Sequence, residues 1–214
     1  MRIYVIRHGE TEANAAGVFQ GQTNGQLTGS GFALAREVGE AMTEVRFDIA
    51  FSSPLDRAMH TARTVLEASG NLDTDIRVDN RLLEVDMGNY EGKRFRPGES
   101  EVDAELCNLF FEDPFTFPGF PGGEDVYDVC NRTQEFLSWL CDCPFDSVLV
   151  STHGFALRAM LNGLYENPQD FWQGRVPYNC SLSILEATTE GIQLIESDVV
   201  LYDKTLCVDH YSKY

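Results

Sequence analysis

The sequence predicts an α/β fold: a three-layer αβα domain with a mainly parallel central sheet and an inserted helical and loop flap at about residues 95–123. Three observations predict it. Short β-branched apolar runs alternate with segments of helical period along all 214 residues, the pattern of strands joined by helical crossovers. The composition is globular, 43% hydrophobic and 23% charged, which argues against disorder and fibrous repeats. Five of the fourteen phenylalanines fall between Phe110 and Phe120, and three prolines and three glycines lie between Pro114 and Gly123. Such a stretch cannot be regular and reads as an insertion. It serves either as a flap over a bound molecule or as local packing. With no low-complexity linker and no repeat, one domain is expected over 1–214.

Taken in order, Ile3 to Ile6 reads as a buried strand. Residues 9–29 are a Gly-, Asn- and Gln-rich loop with room for one helical turn. Thr28 is a helix cap, and Ala35, Val38, Met42 and Val45 repeat at helical spacing. Phe47 to Phe51 is the next strand. Ser53-Pro54 is expected to cap and open a helix through about Ala68. An extended stretch lies between Ile76 and Leu83, a loop at 84–100, and helices at 101–111 and Glu124 to Leu140. Ser147 to Val150 is a buried strand, followed by a helix to about Leu164. The segments 181–187 and 192–201 are late strands.

The chain carries 16 Lys and Arg against 34 Asp and Glu, a net charge of −18. That excludes a nucleic-acid partner, which needs a basic face to displace counterions. It leaves room for a small anion in a local basic pocket. No apolar run approaches the roughly 20 residues of a membrane helix, and only four residues separate Arg2 from Arg7, too few for a signal core. A cytoplasmic protein with six reduced cysteines is expected. Cys141-Asp142-Cys143 lacks zinc-ligand spacing, so neither a metal nor a cofactor is expected. Nothing in the pattern specifies an oligomeric state.

Ligands of a parallel α/β sheet bind beyond the carboxyl ends of its strands. Those ends carry Arg7-His8-Gly9, Ser52-Ser53-Pro54-Leu55-Asp56-Arg57, Glu84 and His153-Gly154. The set has a chemical logic. Two arginines clamp a phosphoryl group, a neutral imidazole attacks phosphorus, a second histidine stabilises the transferring oxygens, and a carboxylic acid protonates the leaving oxygen. Read singly, each residue has a structural alternative. His60 and His210 fall outside the strand ends and read as structural. There is no P-loop, dinucleotide fingerprint or nucleophile elbow.

These residues resemble the histidine phosphatase superfamily, in its phosphoglycerate-mutase-like branch. The resemblance rests on Arg7-His8-Gly9-Glu10-Thr11 with Asn14, and on the run Phe19-Gln20-Gly21 through Leu27-Thr28. It continues in Ser52 to Ala58, in Glu84 with Gly88 and Glu91-Gly92, in Pro121-Gly122-Gly123-Glu124, and in Thr152-His153-Gly154. It implies that His8 is the phosphorylated nucleophile, that Arg7, Arg57 and His153 complete the phosphate pocket, and that Glu84 is the general acid and base, with Asp86 and Glu91 as nearby rivals. Asn14, Gln20, Gly21 and Gly154 are expected at the phosphate, and Phe115 and Phe117 over the rest of the substrate. Gln20 stands where the mutases carry a small hydroxyl residue. Two departures matter. After the acid, Val85-Asp86-Met87 replaces the basic set of the phosphoglycerate mutases, and Phe155 stands where many members have a second glycine, which is expected to narrow the pocket. The expectation is a metal-independent phosphomonoester hydrolase acting on a small phosphorylated metabolite through phospho-His8. The alternatives are a mutase-like phosphoryl transferase and an inactive phosphate-binding scaffold.

Overall fold

The computed structural model describes residues 1–211, so the end of the expected 1–214 domain lies outside the described residues. Six strands form one sheet: β1 (Arg2–Arg7), β2 (Ile49–Ser52), β3 (Ile76–Val78), β4 (Ser147–Thr152), β5 (Leu182–Thr188) and β6 (Gly191–Val199), in the order β3-β2-β4-β1-β5-β6. The first four positions in that order pair in parallel, while β5 runs antiparallel to β1 and β6 to β5. Connection length explains the direction of β6 against β5. Helices lie between the parallel strands, whereas β5 ends at Thr188 and β6 starts at Gly191, a gap that permits a hairpin and no crossover.

The helices are α1 (Glu12–Ala16), α2 (Gly29–Ala41), α3 (Asp56–Ala68), α4 (Ala104–Glu112), α5 (Val126–Cys141) and α6 (Gly154–Leu161). Strand alternation divides the core between the two faces of the sheet. Ala50 and Leu149 pack with Ala35, Val38, Ala62 and Val65 of α2 and α3. Ile49, Phe51, Val148 and Val150 pack with Phe136, Leu140, Leu157 and Met160 of α5 and α6. Phe136 is fully buried and meets Phe51 edge-on at 5.6 Å between ring centroids. Phe136→Ala is expected to cost about 3–5 kcal/mol, read as a fall in the urea midpoint, because the cavity it leaves is held open by the sheet. No helix among the described residues is long and apolar enough to cross a membrane.

Thr28 caps α2 as expected, its hydroxyl accepting from the Gly31 amide at 3.0 Å. Three boundaries differ from the sequence expectation. Val45 lies past the end of α2, which closes at Met42. The helix expected from Ser53-Pro54 begins at Asp56 with Leu55 at its cap position and no side-chain bond there, while the Ser53 hydroxyl accepts from the Leu55 amide at 3.4 Å. The helix after His153 ends at Leu161 and tightens to a 3-10 turn over Asn162–Leu164.

The 95–123 insertion is helical only in α4. Its rings build a third core: Phe110, Phe117 and Phe120 are buried with Phe19, Phe155 and Trp172. Gly88 lies at φ 51, in the left-handed region, and a Cβ there would meet the Pro121 carbonyl oxygen at 2.5 Å. Glycine therefore lets the loop after Glu84 lie directly against the turn at 121–123.

Candidate active site

Strands β1 and β4 end in register, Arg7 opposite Thr152. The next residues, His8 and His153, therefore leave the sheet side by side, with ring centroids 5.1 Å apart. The Gly9 turn passes so close to α2 that a Cβ would lie 2.6 Å from the Gly31 carbonyl oxygen. His8 Nδ1 is 2.7 Å from the Gly9 carbonyl oxygen. A carbonyl only accepts, so Nδ1 carries the hydrogen and Nε2 keeps its lone pair. Burial, then Arg57 and Arg7, holds the His8 imidazolium well below the usual histidine range. The ring is neutral at pH 7 and free to act as a nucleophile at Nε2.

Arg57 sits in the first turn of α3 and is fully buried. It donates to the Gly21 carbonyl at 2.6 Å, the Thr23 carbonyl at 2.9 Å and His153 Nδ1 at 3.1 Å. Burial pushes its guanidinium down to about 10, which still leaves it charged at pH 7. Because His153 Nδ1 accepts from Arg57, its Nε2 carries the hydrogen and donates to the Ser53 hydroxyl at 2.8 Å. Burial first, then Arg57, keeps His153 neutral as well.

Arg7 donates to the Pro177 carbonyl and, at 3.5 Å, to the Tyr211 hydroxyl, while its Nε is buried without a partner. An arginine N–H left unpaired in a buried cleft is a donor awaiting an acceptor. Asn14, held by the capping box of α1, donates to the same Tyr211 hydroxyl at 3.3 Å. Gln20 accepts from the Thr11 hydroxyl at 2.9 Å.

Glu84 accepts from the amides of Val85 (2.9 Å), Ala156 (3.0 Å) and Phe155 (3.2 Å), the last two at the start of α6. Burial raises its carboxyl above the usual range, and the three amides and Arg57 oppose that rise without cancelling it. Its loop is anchored from α5. Arg132 donates to the carbonyls of Leu83 (2.6 Å) and Glu84 (2.9 Å) and pairs with Glu124 at 2.8 Å, and Glu124 in turn accepts from the Asp86 amide. The two rival acids are employed elsewhere: Glu91 accepts from Gly21, Gln22 and Thr23, and Asp86 from the Gly88 amide.

Arg7, His8, Asn14, Gln20, Glu84 and Gly154 line one cleft of about 40 Å³. Arg57 and His153 do not line it; they are fully buried and engage the lining residues' loops. Gly21 acts through its carbonyl on Arg57 rather than as cleft wall. Phe115 and Phe117, expected over the substrate, are a correction. Phe117 is buried against Phe110 and Phe120, and Phe115 packs on Phe171 and Tyr127. Phe110 and Phe111 face the cleft instead, since α4 turns that stripe inward. Phe155 also lines it, stacked on Phe110 at 5.3 Å. The sequence reading missed Ser53 as a partner of His153, Asn179, which donates to the His8 carbonyl at 3.0 Å, and Tyr211. No local pattern marks them, for each meets the site through a long-range contact.

A family model described as the histidine phosphatase superfamily (branch 1) matches residues 3–198. The chain belongs to the histidine phosphatase superfamily. It is 33% identical over 209 residues to the protein named "Putative phosphoserine phosphatase 2" of Hydrogenobacter thermophilus, which covers 96% of each chain. It is 31% identical over 190 residues to "Probable phosphoglycerate mutase GpmB" of Salmonella choleraesuis, covering 87% of this chain and 85% of that one. Among solved structures, Bacillus stearothermophilus YhfR superposes with a TM-score of 0.85 at 27% identity, over 94% of this chain and 99% of that one. This histidine phosphatase is an enzyme of the phosphatase type.

Proposed function

We propose that the protein is a metal-independent phosphomonoesterase acting on a small phosphorylated metabolite through a phosphohistidine on His8. The observation that carries the reading is the buried His8 ring at the end of β1, its Nδ1 tied to the Gly9 carbonyl so that Nε2 keeps its lone pair, on a cleft wall shared with Arg7 and Glu84. His8 Nε2 attacks phosphorus, the ester P–O bond breaks, and the protonated Glu84 gives its proton to the leaving alcohol oxygen. The Glu84 carboxylate then takes a proton from water, whose oxygen attacks phosphorus as the N–P bond breaks. Phosphate leaves, and His8 and Glu84 return to their starting states. Arg7 Nε meets the phosphoryl oxygens, where charge gathers in the transition state, and Arg57 acts from behind the cleft by holding His153 and the Gly21 and Thr23 carbonyls. The cytoplasm suits this reading, since its six free cysteines stay reduced there.

A mutase reaction is the second reading, favoured by the name of the Salmonella relative. Incubation with 3-phosphoglycerate separates the two, since a hydrolase releases phosphate and a mutase forms 2-phosphoglycerate.

The test is a pH profile of kcat in excess EDTA. His8 must be neutral and its ionisation lies well below 6.5, so the acid limb falls below that pH. Glu84 must start protonated and its ionisation lies above 4.5, so activity declines on the alkaline side as Glu84 loses its proton. Glu84→Gln is expected to abolish that alkaline limb. Retention of the limb in the variant would assign the acid to another group, and loss of all activity in EDTA would contradict metal independence.

A further inference from the structure

We infer that Asn179 is a positioning residue of this site: its side-chain amide holds Asn14 so that the Asn14 nitrogen, and not its oxygen, meets the cleft as a donor to the phosphoryl group. The inference rests on the phosphomonoesterase reading and adds to it a residue outside the cleft wall. Asn179 is buried, in the tight turn that leads into β5. The register of Ile6 with Leu182 brings that turn alongside the residues that follow β1. Its Nδ2 donates to the His8 carbonyl oxygen at 3.0 Å and to Asn14 Oδ1 at 3.2 Å. A backbone carbonyl only accepts, so the nitrogen of Asn179 is fixed at that end and both of its hydrogens are in use.

The same chemistry orients Asn14. Its Oδ1 also accepts from the Thr11 backbone amide at 3.2 Å, and a backbone N–H only donates, so the oxygen lies at the protein end. Nδ2 is then the end that meets the cleft, where it donates to the Tyr211 hydroxyl at 3.3 Å. Two donors converge on one oxygen, the Thr11 amide from the cap of α1 and the Asn179 side chain from 165 residues away. The distant donor matters because α1 spans only Glu12–Ala16, and a helix of five residues has little stability of its own. The turn that carries Asn179 is itself held. The Tyr202 hydroxyl donates to the Asn179 carbonyl at 2.7 Å, the Cys180 amide to the Arg7 carbonyl at 3.0 Å, and the Ser181 amide to the Tyr178 carbonyl at 3.0 Å. Cys180 takes φ 58, in the left-handed region, a conformation that a residue other than glycine keeps only where its surroundings fix it. Turning the Asn14 amide over would set its nitrogen against the N–H groups of Thr11 and Asn179, and its oxygen against the phosphoryl oxygens.

The test is a double-mutant cycle on the binding of inorganic phosphate, measured by calorimetry, with Asn179→Ala, Asn14→Ala and both together. Asn14→Ala is expected to weaken phosphate binding by about 10-fold or more, the scale of one hydrogen bond to a charged group. Asn179→Ala is expected to weaken it by about 3-fold or more when Asn14 is present, and by less than about 2-fold once Asn14 is alanine. A merely structural contribution of Asn179 acts alike in both backgrounds, so equal losses overturn the inference, as does an unchanged affinity in Asn179→Ala. If Asn179→Ala does not fold, Asn179→Asp takes its place, since it keeps the shape and loses both donors. Its added charge repels phosphate in both backgrounds and cancels in the comparison. Ester turnover by the wild-type enzyme keeps the two claims separate. A coupled cycle without turnover contradicts the hydrolase reading and leaves the positioning role standing. Turnover with equal losses in the two backgrounds contradicts the positioning role and leaves the hydrolase reading standing.

Discussion

His8→Ala is expected to lower kcat for any phosphomonoester by about 10⁶-fold, the scale seen when a covalent nucleophile is removed. The variant loses the only ring nitrogen that both lines the cleft and keeps a free lone pair, since both nitrogens of His153 are engaged, by Arg57 and by Ser53. The loss should fall on kcat, because Arg7 and Asn14 still line the phosphate end and still bind substrate. The fold should persist. The Asn179 bond reaches the His8 backbone carbonyl, and the strand register ends before the side chain. Steady-state kinetics on the purified variant, with circular dichroism to check folding, reads this directly. A loss of less than about 100-fold would mean that another group attacks phosphorus.

Glu84→Gln should separate substrates by leaving group. Esters of ordinary alkanols need a proton on the departing oxygen, and the variant should hydrolyse them about 10² to 10⁴-fold more slowly. p-Nitrophenyl phosphate releases a stable phenolate and needs no acid, so its phosphorylation step should fall by no more than about 10-fold. The second step still needs a base for water, so the variant should accumulate phosphoenzyme and show a burst of nitrophenolate. The amides of Val85, Phe155 and Ala156 aim three donors at the carboxylate. The Gln amide nitrogen faces one of them, so a modest fall in melting temperature is expected alongside the kinetic change. Equal losses on both esters would remove Glu84 from the proton-transfer role.

Much of this arrangement was legible because it is local. A β-branched run followed at once by Arg7-His8, and another followed by His153, place both rings at strand ends wherever the strands pair in parallel. The register of Arg7 with Thr152 then puts the rings together. Thr28 is readable as a cap because its partner Gly31 is three residues on. What was not legible depends on distant segments. Ser53 reads as a cap from its neighbour Pro54, yet its hydroxyl bonds to His153 one hundred residues later. Arg132 carries no local signal, and only the packing of α5 against the 83–86 loop shows that it supports Glu84. In the insertion, prolines and glycines erase any period, so the sequence gives no phase by which to choose among the phenylalanines. Phe115 and Phe117 are the sequence's expectation for the substrate side, while the turn of α4 brings Phe110 and Phe111 to the cleft wall. The strands β5 and β6 are legible as strands, and the short connection makes β6 antiparallel to β5, whereas no local signal shows that β5 runs antiparallel to β1.

The most direct test of the account is a rapid-quench experiment with wild-type enzyme and a phosphomonoester, followed by peptide mapping of the denatured protein. The account expects a phosphoryl group that is labile in acid and stable in base, carried by the peptide containing His8 and absent from His8→Ala. Turnover with no phosphoenzyme in either step, or phosphate found on a peptide lacking His8, would contradict it.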